Sequence, residues 1–165
     1  MKHKILVINP GSTSTKIALY NDMTEEFTEV VRHPAVQIEK YKTIYEQLGF
    51  RQEAVLKTLR DKKIDLATLS AVVGRGGNMK PVAGGTYLVN EAMLADLQIG
   101  VMGQHASNLG GIIAYQIANP LSLPAFVVDP VIVDEFEELA RFSGLPEIQR
   151  KSKDHPLNQK AVARR

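Results

Sequence analysis

Residues 9–16 read NPGSTSTK, and they hold a carboxamide, a Pro-Gly pair, four successive hydroxyls and a lysine. Such groups suit phosphate. Amides and hydroxyls bind its oxygens, Lys16 adds a point charge, and the Asn9 carboxamide is an oxygen donor of the kind magnesium accepts directly or through water. The stretch is not a Walker A loop. That loop needs G-x-x-x-x-G-K-[ST] running into a helix. Here Lys16 stands where the second glycine belongs, and the strand-like KIALY follows. A plain polar turn is the competing reading.

Three further stretches carry groups that could act together. VVGRGGNMKPVAGG, residues 72–85, surrounds Arg75 with glycines. Glycine lets backbone approach a ligand closely, and an arginine there can grip a carboxylate or phosphoryl group with two parallel bonds. GVMGQHASNLGGI places His105 just before a helix start, where free amides favour anions. Asp129 follows an apolar strand, and ligands of open α/β sheets gather outside such strand ends. It could orient an attacking group, accept a proton or hold a metal's water. His155, near the chain end, has solvation as its simplest role. Each stretch also has a structural reading: a flexible loop for Arg75, a capping network for His105, a helix cap for Asp129.

These residues need elements to position them. The spacing predicts strands at Ile5–Ile8, Ile17–Tyr20 and Phe27–Val31, with Asn21-Asp22 turning between the last two. It predicts helical texture from Glu39 to Arg60, interrupted at Gly49, then a strand at Leu69–Val73 and another at Tyr87–Val89. Asn90 should cap a helix stopped at Gly100, and Ser107 or Asn108 one that ends at Asn119-Pro120. Ala125–Val128 reads as a buried strand, Val133–Arg141 as a helix, and a last helix begins where Asp154 or His155 precedes Pro156. Three strands followed by alternating helices and strands make an α/β fold, a mixed sheet with an antiparallel opening meander and flanking helices.

The bulk composition narrows the field. The chain has 165 residues, enough for one core-bearing domain. A net charge of +2 is too small to make nucleic acid its main partner. It lacks cysteine, which removes disulfides and thiol chemistry and fits a cytoplasmic setting. The apolar run before Pro10 is too short for a secretory leader, and no stretch approaches the ~20 residues of a membrane span.

Taken together, NPGSTSTK, GRGG, HASNLGG, FVVDPVIVDEF and HPLNQKAVARR resemble, in order and spacing, the motifs of the acetate kinase family. Pro10 and Thr15 are similar to its butyrate branch. The resemblance covers essentially the whole chain and implies a ribonuclease-H-like, actin-like ATPase domain. It implies transfer of the ATP γ-phosphoryl group to a short carboxylate such as butyrate, reversibly, with magnesium. On that basis Asn9 would take the metal side, and Gly11, Ser12, Ser14 and Lys16 would hold phosphates. Arg75 would bind the carboxylate or phosphoryl group, Asp129 would be the catalytic carboxylate, and His105 and His155 would stabilise the transferring group. Val82 and Val101 are candidates for the apolar slot that selects butyrate.

The same resemblance implies that residues 1–165 form a single N-terminal domain, with residues 150–165 starting a helix that continues in a longer chain. The second phosphate loop and the adenosine pocket would lie outside it. Half of a two-domain clamp cannot close on ATP, so little kinase activity is expected of these residues alone. The full-length protein would be a homo-oligomer. The alternative is a non-catalytic phosphate- or nucleotide-binding module that pairs with a second chain.

Overall fold

A computed structural model describes residues 2–153 and 155–165. The Asp154 capping expectation lies outside them.

β1 (Lys4–Pro10), β2 (Ser14–Asn21) and β3 (Thr24–Arg32) form the expected meander. Alternation decides their faces. Leu6, Ile8, Thr15, Ile17 and Leu19 are buried, whereas Ile5 and Val7 on the other face are half-buried. At the β2–β3 turn Asp22 adopts φ 51°, and its Oδ1 accepts the His3 N–H at 2.8 Å.

After the short helix α1 (Ala35–Ile38), α2 (Leu48–Asp61) leads to β4 (Ala71–Arg75). β5 (Thr86–Leu88), α3 (Glu91–Ile99), α4 (Asn108–Ala118), β6 (Ala125–Val128) and α5 (Pro156–Ala163) follow. The six-stranded sheet has the order β3-β2-β1-β4-β6-β5. β4 runs parallel to β1 and to β6, while β5 is antiparallel to β6. α2 and α4 pack on the sheet, with α3 against α4. The core lies between, around Leu6, Ile8, Val72, Leu97, Ile113 and Val127.

Register then sets the site. Ile8 pairs with Gly74 and Arg75 with Val128. Asn9, Arg75 and Asp129 therefore leave the carboxyl ends of three adjacent parallel strands side by side.

Several sequence expectations are corrected. Residues 39–44 are not helical, and α2 begins only at Leu48 after a 3₁₀ turn at Tyr45–Gln47. Lys40 and Lys42 lie in an exposed connection, and the Lys42 N–H bonds the Glu46 carboxylate at 2.8 Å instead of continuing a helical ladder. Gly49 does not break α2 but lies within it. No helix spans Val133–Arg141. Val133 is drawn into a bridge with Val82, and Asp134 Oδ1 accepts the Phe136 N–H at 3.1 Å, so only a 3₁₀ turn forms at Glu138–Arg141. Neither Ser107 nor Asn108 caps α4 through its side chain. The Asn90 cap and the left-handed Gly100 stop of α3 are as expected, at Met93 N and φ 65°.

Candidate functional site

A cleft of about 380 Å³ opens where the strand ends meet the helix starts. It is lined by Asn9, Arg75, His105, Val131 and His155 among others, so residues from five separate stretches converge. Beside it a groove of about 310 Å³ holds Asp129 and shares Asn9 and Arg75 with the cleft.

Arg75 Nη2 donates to His155 Nδ1 at 2.9 Å. Arginine offers no lone pair, so His155 Nδ1 must be the acceptor and a neutral ring carries its proton on Nε2. His155 sits in the left-handed region at φ 61°, held by its N–H to Val131 O at 3.1 Å. His105 repeats the logic: its Nδ1 accepts the Ser107 N–H at 3.1 Å and lies 2.8 Å from Ser107 Oγ. Both histidines thus keep Nε2–H as a donor that no described residue uses.

Asp129 also has left-handed backbone, φ 43°. Such residues cost about 1–3 kcal/mol and persist where the surroundings over-determine them. Here the partner is Gly85: Asp129 Oδ1 accepts its N–H at 2.8 Å, and the Asp129 N–H bonds its carbonyl at 3.0 Å. Next to it Glu135 accepts the Gly84 N–H at 2.9 Å and Lys160 Nζ of α5 at 2.6 Å. The Lys160 bond, first, and the Gly84 bond hold the Glu135 carboxyl below its usual range. The glycine-rich loop is thereby tied to both Asp129 and α5.

Not every expected residue converges. Lys16 sits across from Asn9 in the β1–β2 register and lines a separate groove with Tyr20 and Asn9. Ser12 is exposed at the turn tip and Ser14 is half-buried behind it. Val82 packs on the core and Val101 is exposed, and the valine that lines the cleft is Val131.

Two glycines of the arginine loop serve packing. A Cβ on Gly74 would run into the Gly110 carbonyl of α4, and one on Gly77 into Asn108. Asn108 locks this contact, accepting the Asn78 N–H at 2.8 Å while donating to Gly103 O at 3.0 Å. The arginine loop and the histidine segment are therefore one packed unit.

Sequence reasoning missed Arg51. It is fully buried on α2 and binds the carbonyls of the 11–14 turn. Its position inside an amphipathic helix pattern resembled that of any solvated arginine, so no local signal marked it. Burial holds its guanidinium below the usual pKa.

Magnesium would need oxygen donors. No group of three His, Cys, Asp or Glu side chains is poised for a metal among the described residues. Asn9 and Asp129 do line one groove, however, and offer a carboxamide and a carboxylate. That set fits magnesium, which keeps several waters and uses one or two carboxylates together with substrate phosphates.

No family model matches the chain. It is 58% identical over all 165 residues to a probable butyrate kinase of Clostridium botulinum (strain Eklund 17B / Type B), covering 46% of that protein. It is likewise 58% identical over 165 residues to butyrate kinase 2 of Clostridium acetobutylicum, again covering 46% of it. The chain thus spans about half the length of the curated relatives it matches, and it resembles butyrate kinases from end to end. Among solved structures, the acetate kinase of Porphyromonas gingivalis superposes with TM-score 0.59 at 17% identity, over 98% of this chain and 48% of that one. A propionate kinase of Francisella tularensis gives 0.59 at 19% identity, over 98% and 47%. The fold is accordingly the α/β, actin-like ATPase fold of those kinases.

Proposed function

We propose that these 165 residues are the N-terminal domain of a butyrate-type carboxylate kinase, which moves the γ-phosphoryl group of ATP onto a carboxylate to give an acyl phosphate and ADP. The observation that carries this reading is the Arg75–His155 pair, 2.9 Å apart at a cleft shared with Asn9 and His105, in a chain similar throughout to butyrate kinases.

Phosphoryl transfer asks for in-line positioning and for neutralisation of charge on three equatorial oxygens. Arg75 supplies a cation with forked donors. The Nε2–H groups of His105 and His155 supply two further donors. A carboxylate substrate is already anionic at neutral pH, its pKa being about 4, so no general base is required. Asp129, held by Gly85, would orient rather than deprotonate. Asn9 and Asp129 would hold magnesium, which when bound neutralises phosphate charge. The wall that selects butyrate includes Val131. The remaining length of the relatives would supply the nucleotide-facing wall, so this chain alone should turn over little. The whole protein would act in the cytoplasm as a homo-oligomer.

The test is a chimera in which these residues replace the matching segment of the Clostridium botulinum relative, assayed for butyryl hydroxamate with ATP and magnesium. Removing one preorganised donor or charge typically costs ~10²–10³ in kcat, and Arg75→Ala and Asp129→Asn should each fall in that range. An inactive but folded chimera, or active variants, would overturn the assignment. Tight binding of ATP by the 165-residue chain itself would contradict the division of labour.

A further inference from the structure

The turn between β1 and β2 is organised from behind by one side chain. Arg51 is 0% exposed, yet no carboxylate pairs with it among the described residues. Its Nη1 donates to Gly11 O at 2.8 Å and Ser14 O at 3.2 Å, and its Nη2 to Ser12 O at 2.9 Å. Nε is taken by Gln47 Oε1 at 3.0 Å, and Nη1 also lies 3.4 Å from Thr15 Oγ1. The one remaining turn carbonyl, that of Thr13, accepts the His33 N–H at 2.8 Å.

The carbonyls of Gly11, Ser12 and Ser14 are therefore turned inward to Arg51, while that of Thr13 is taken by the backbone just beyond β3. In a planar trans peptide the N–H points opposite to the C=O. The inward carbonyls of Gly11 and Ser12 thus aim the N–H groups of Ser12 and Thr13 outward. Neither N–H has a hydrogen-bond partner among the described residues, and both residues are exposed. Successive free amides in a turn make an anion-binding concavity. A buried, unneutralised guanidinium lies directly behind this one. The orientation is enforced, because a buried arginine with unmet donors is costly and only the carbonyls are there to meet them.

We infer that Arg51 is a positioning residue for phosphoryl binding, which fixes the turn so that the Ser12 and Thr13 amides face a phosphate oxygen. This rests on the reading of the turn as phosphate-facing given above. Arg51 does not touch the ligand, and its effect passes through the peptide planes. Lysine cannot replace it, since one ammonium cannot span carbonyls on both edges of the guanidinium.

The test is an NMR titration of the ¹⁵N-labelled chain with inorganic phosphate, following the Ser12 and Thr13 amides. In the unmodified chain both should shift along one saturable curve. Arg51→Met should weaken phosphate binding at least ten-fold while the core amides of Leu6 and Ile113 stay put. Arg51→Lys should recover less than half of that loss. Wild-type phosphate affinity in folded Arg51→Met would overturn the inference and leave the phosphate reading standing. Should that variant not fold, wild-type affinity in Arg51→Lys would overturn it equally. No response of Ser12 and Thr13 in the unmodified chain would remove the phosphate reading itself, and the inference with it.

Discussion

The packing around two glycines, one at the contact of β4 with α4 and one in α2, allows the same substitution, glycine to alanine, to be forecast with opposite signs. At Gly74 a new Cβ meets the backbone carbonyl of Gly110, with the Gly111 nitrogen close behind. Backbone cannot swing aside as a side-chain tip can, so α4 must lift off the sheet. Overpacking of this kind costs typically 1–3 kcal/mol, and the rigid obstacle puts Gly74→Ala near the top, about 3 kcal/mol. Unfolding entropy of about 2.1 cal/mol/K per residue gives about 0.35 kcal/mol/K for a chain of this length. The melting temperature should then fall by about 9 °C. At Gly49, inside α2, a Cβ meets nothing within 4 Å. Alanine there gains about 0.5–1 kcal/mol of helix propensity, raising the melting temperature by about 2 °C. Calorimetry on both variants checks this. A Gly74→Ala protein melting within 1–2 °C of the parent, or a destabilised Gly49→Ala, would refute the steric argument.

Three further outcomes are expected. His33 is buried against the Phe50 ring and bonded to Thr15 Oγ1 at 2.8 Å; burial first, and then the Arg51 charge, hold its pKa below 6.5. The unfolded state therefore binds the proton more readily, so stability is full above about pH 6.5 and declines as pH falls below it. Denaturant melts of the parent and His33→Gln from pH 7.5 to 5 should show that decline only in the parent. The Asp134 carboxyl is held low, mainly by its bond from Arg141 at 2.9 Å. Its contribution is present above its ordinary pKa and lost as pH falls through the lowered one, so Asp134→Asn should melt lower at pH 7 and converge with the parent in acid. Asn90→Ala deletes the cap on Met93 N, 2.9 Å away, and should cost about 1 kcal/mol or about 3 °C by thermal melt.

Local patterns carried much of the architecture. Alternation in β1 and β2, the Asn90 cap, the Gly100 stop and the Pro120 terminus are read within a few residues, and the structure places them where the sequence does. Val133–Arg141 misled because its helical spacing competes with one partner far away in sequence and with side-chain bonds inside the segment. Val82 captures Val133, and Arg141 and the Phe136 N–H capture the Asp134 side chain. The roles of the glycines around Arg75 are equally hidden from local sequence. A glycine that admits a ligand and one that admits Gly110 or Asn108 look alike until the opposite surface is known.

The sequence by itself determined which groups are available and in what order: NPGSTSTK, Arg75, His105, Asp129 and His155. Each is a short-range motif whose chemistry lies in residue type. The tertiary structure alone decided which of them meet. Strand register places Asn9, Arg75 and Asp129 side by side, and the packing of the α5 start joins Arg75 to a histidine 80 residues away. The fold sets Lys16 opposite Asn9 on the same sheet face but on the β2 side, where it lines another groove, one strand further from Arg75. It also puts Arg51 beneath the turn it organises, 40 residues from Gly11. Hydrogen-bond satisfaction of a buried cation is a property of the folded interior, and no local pattern encodes it.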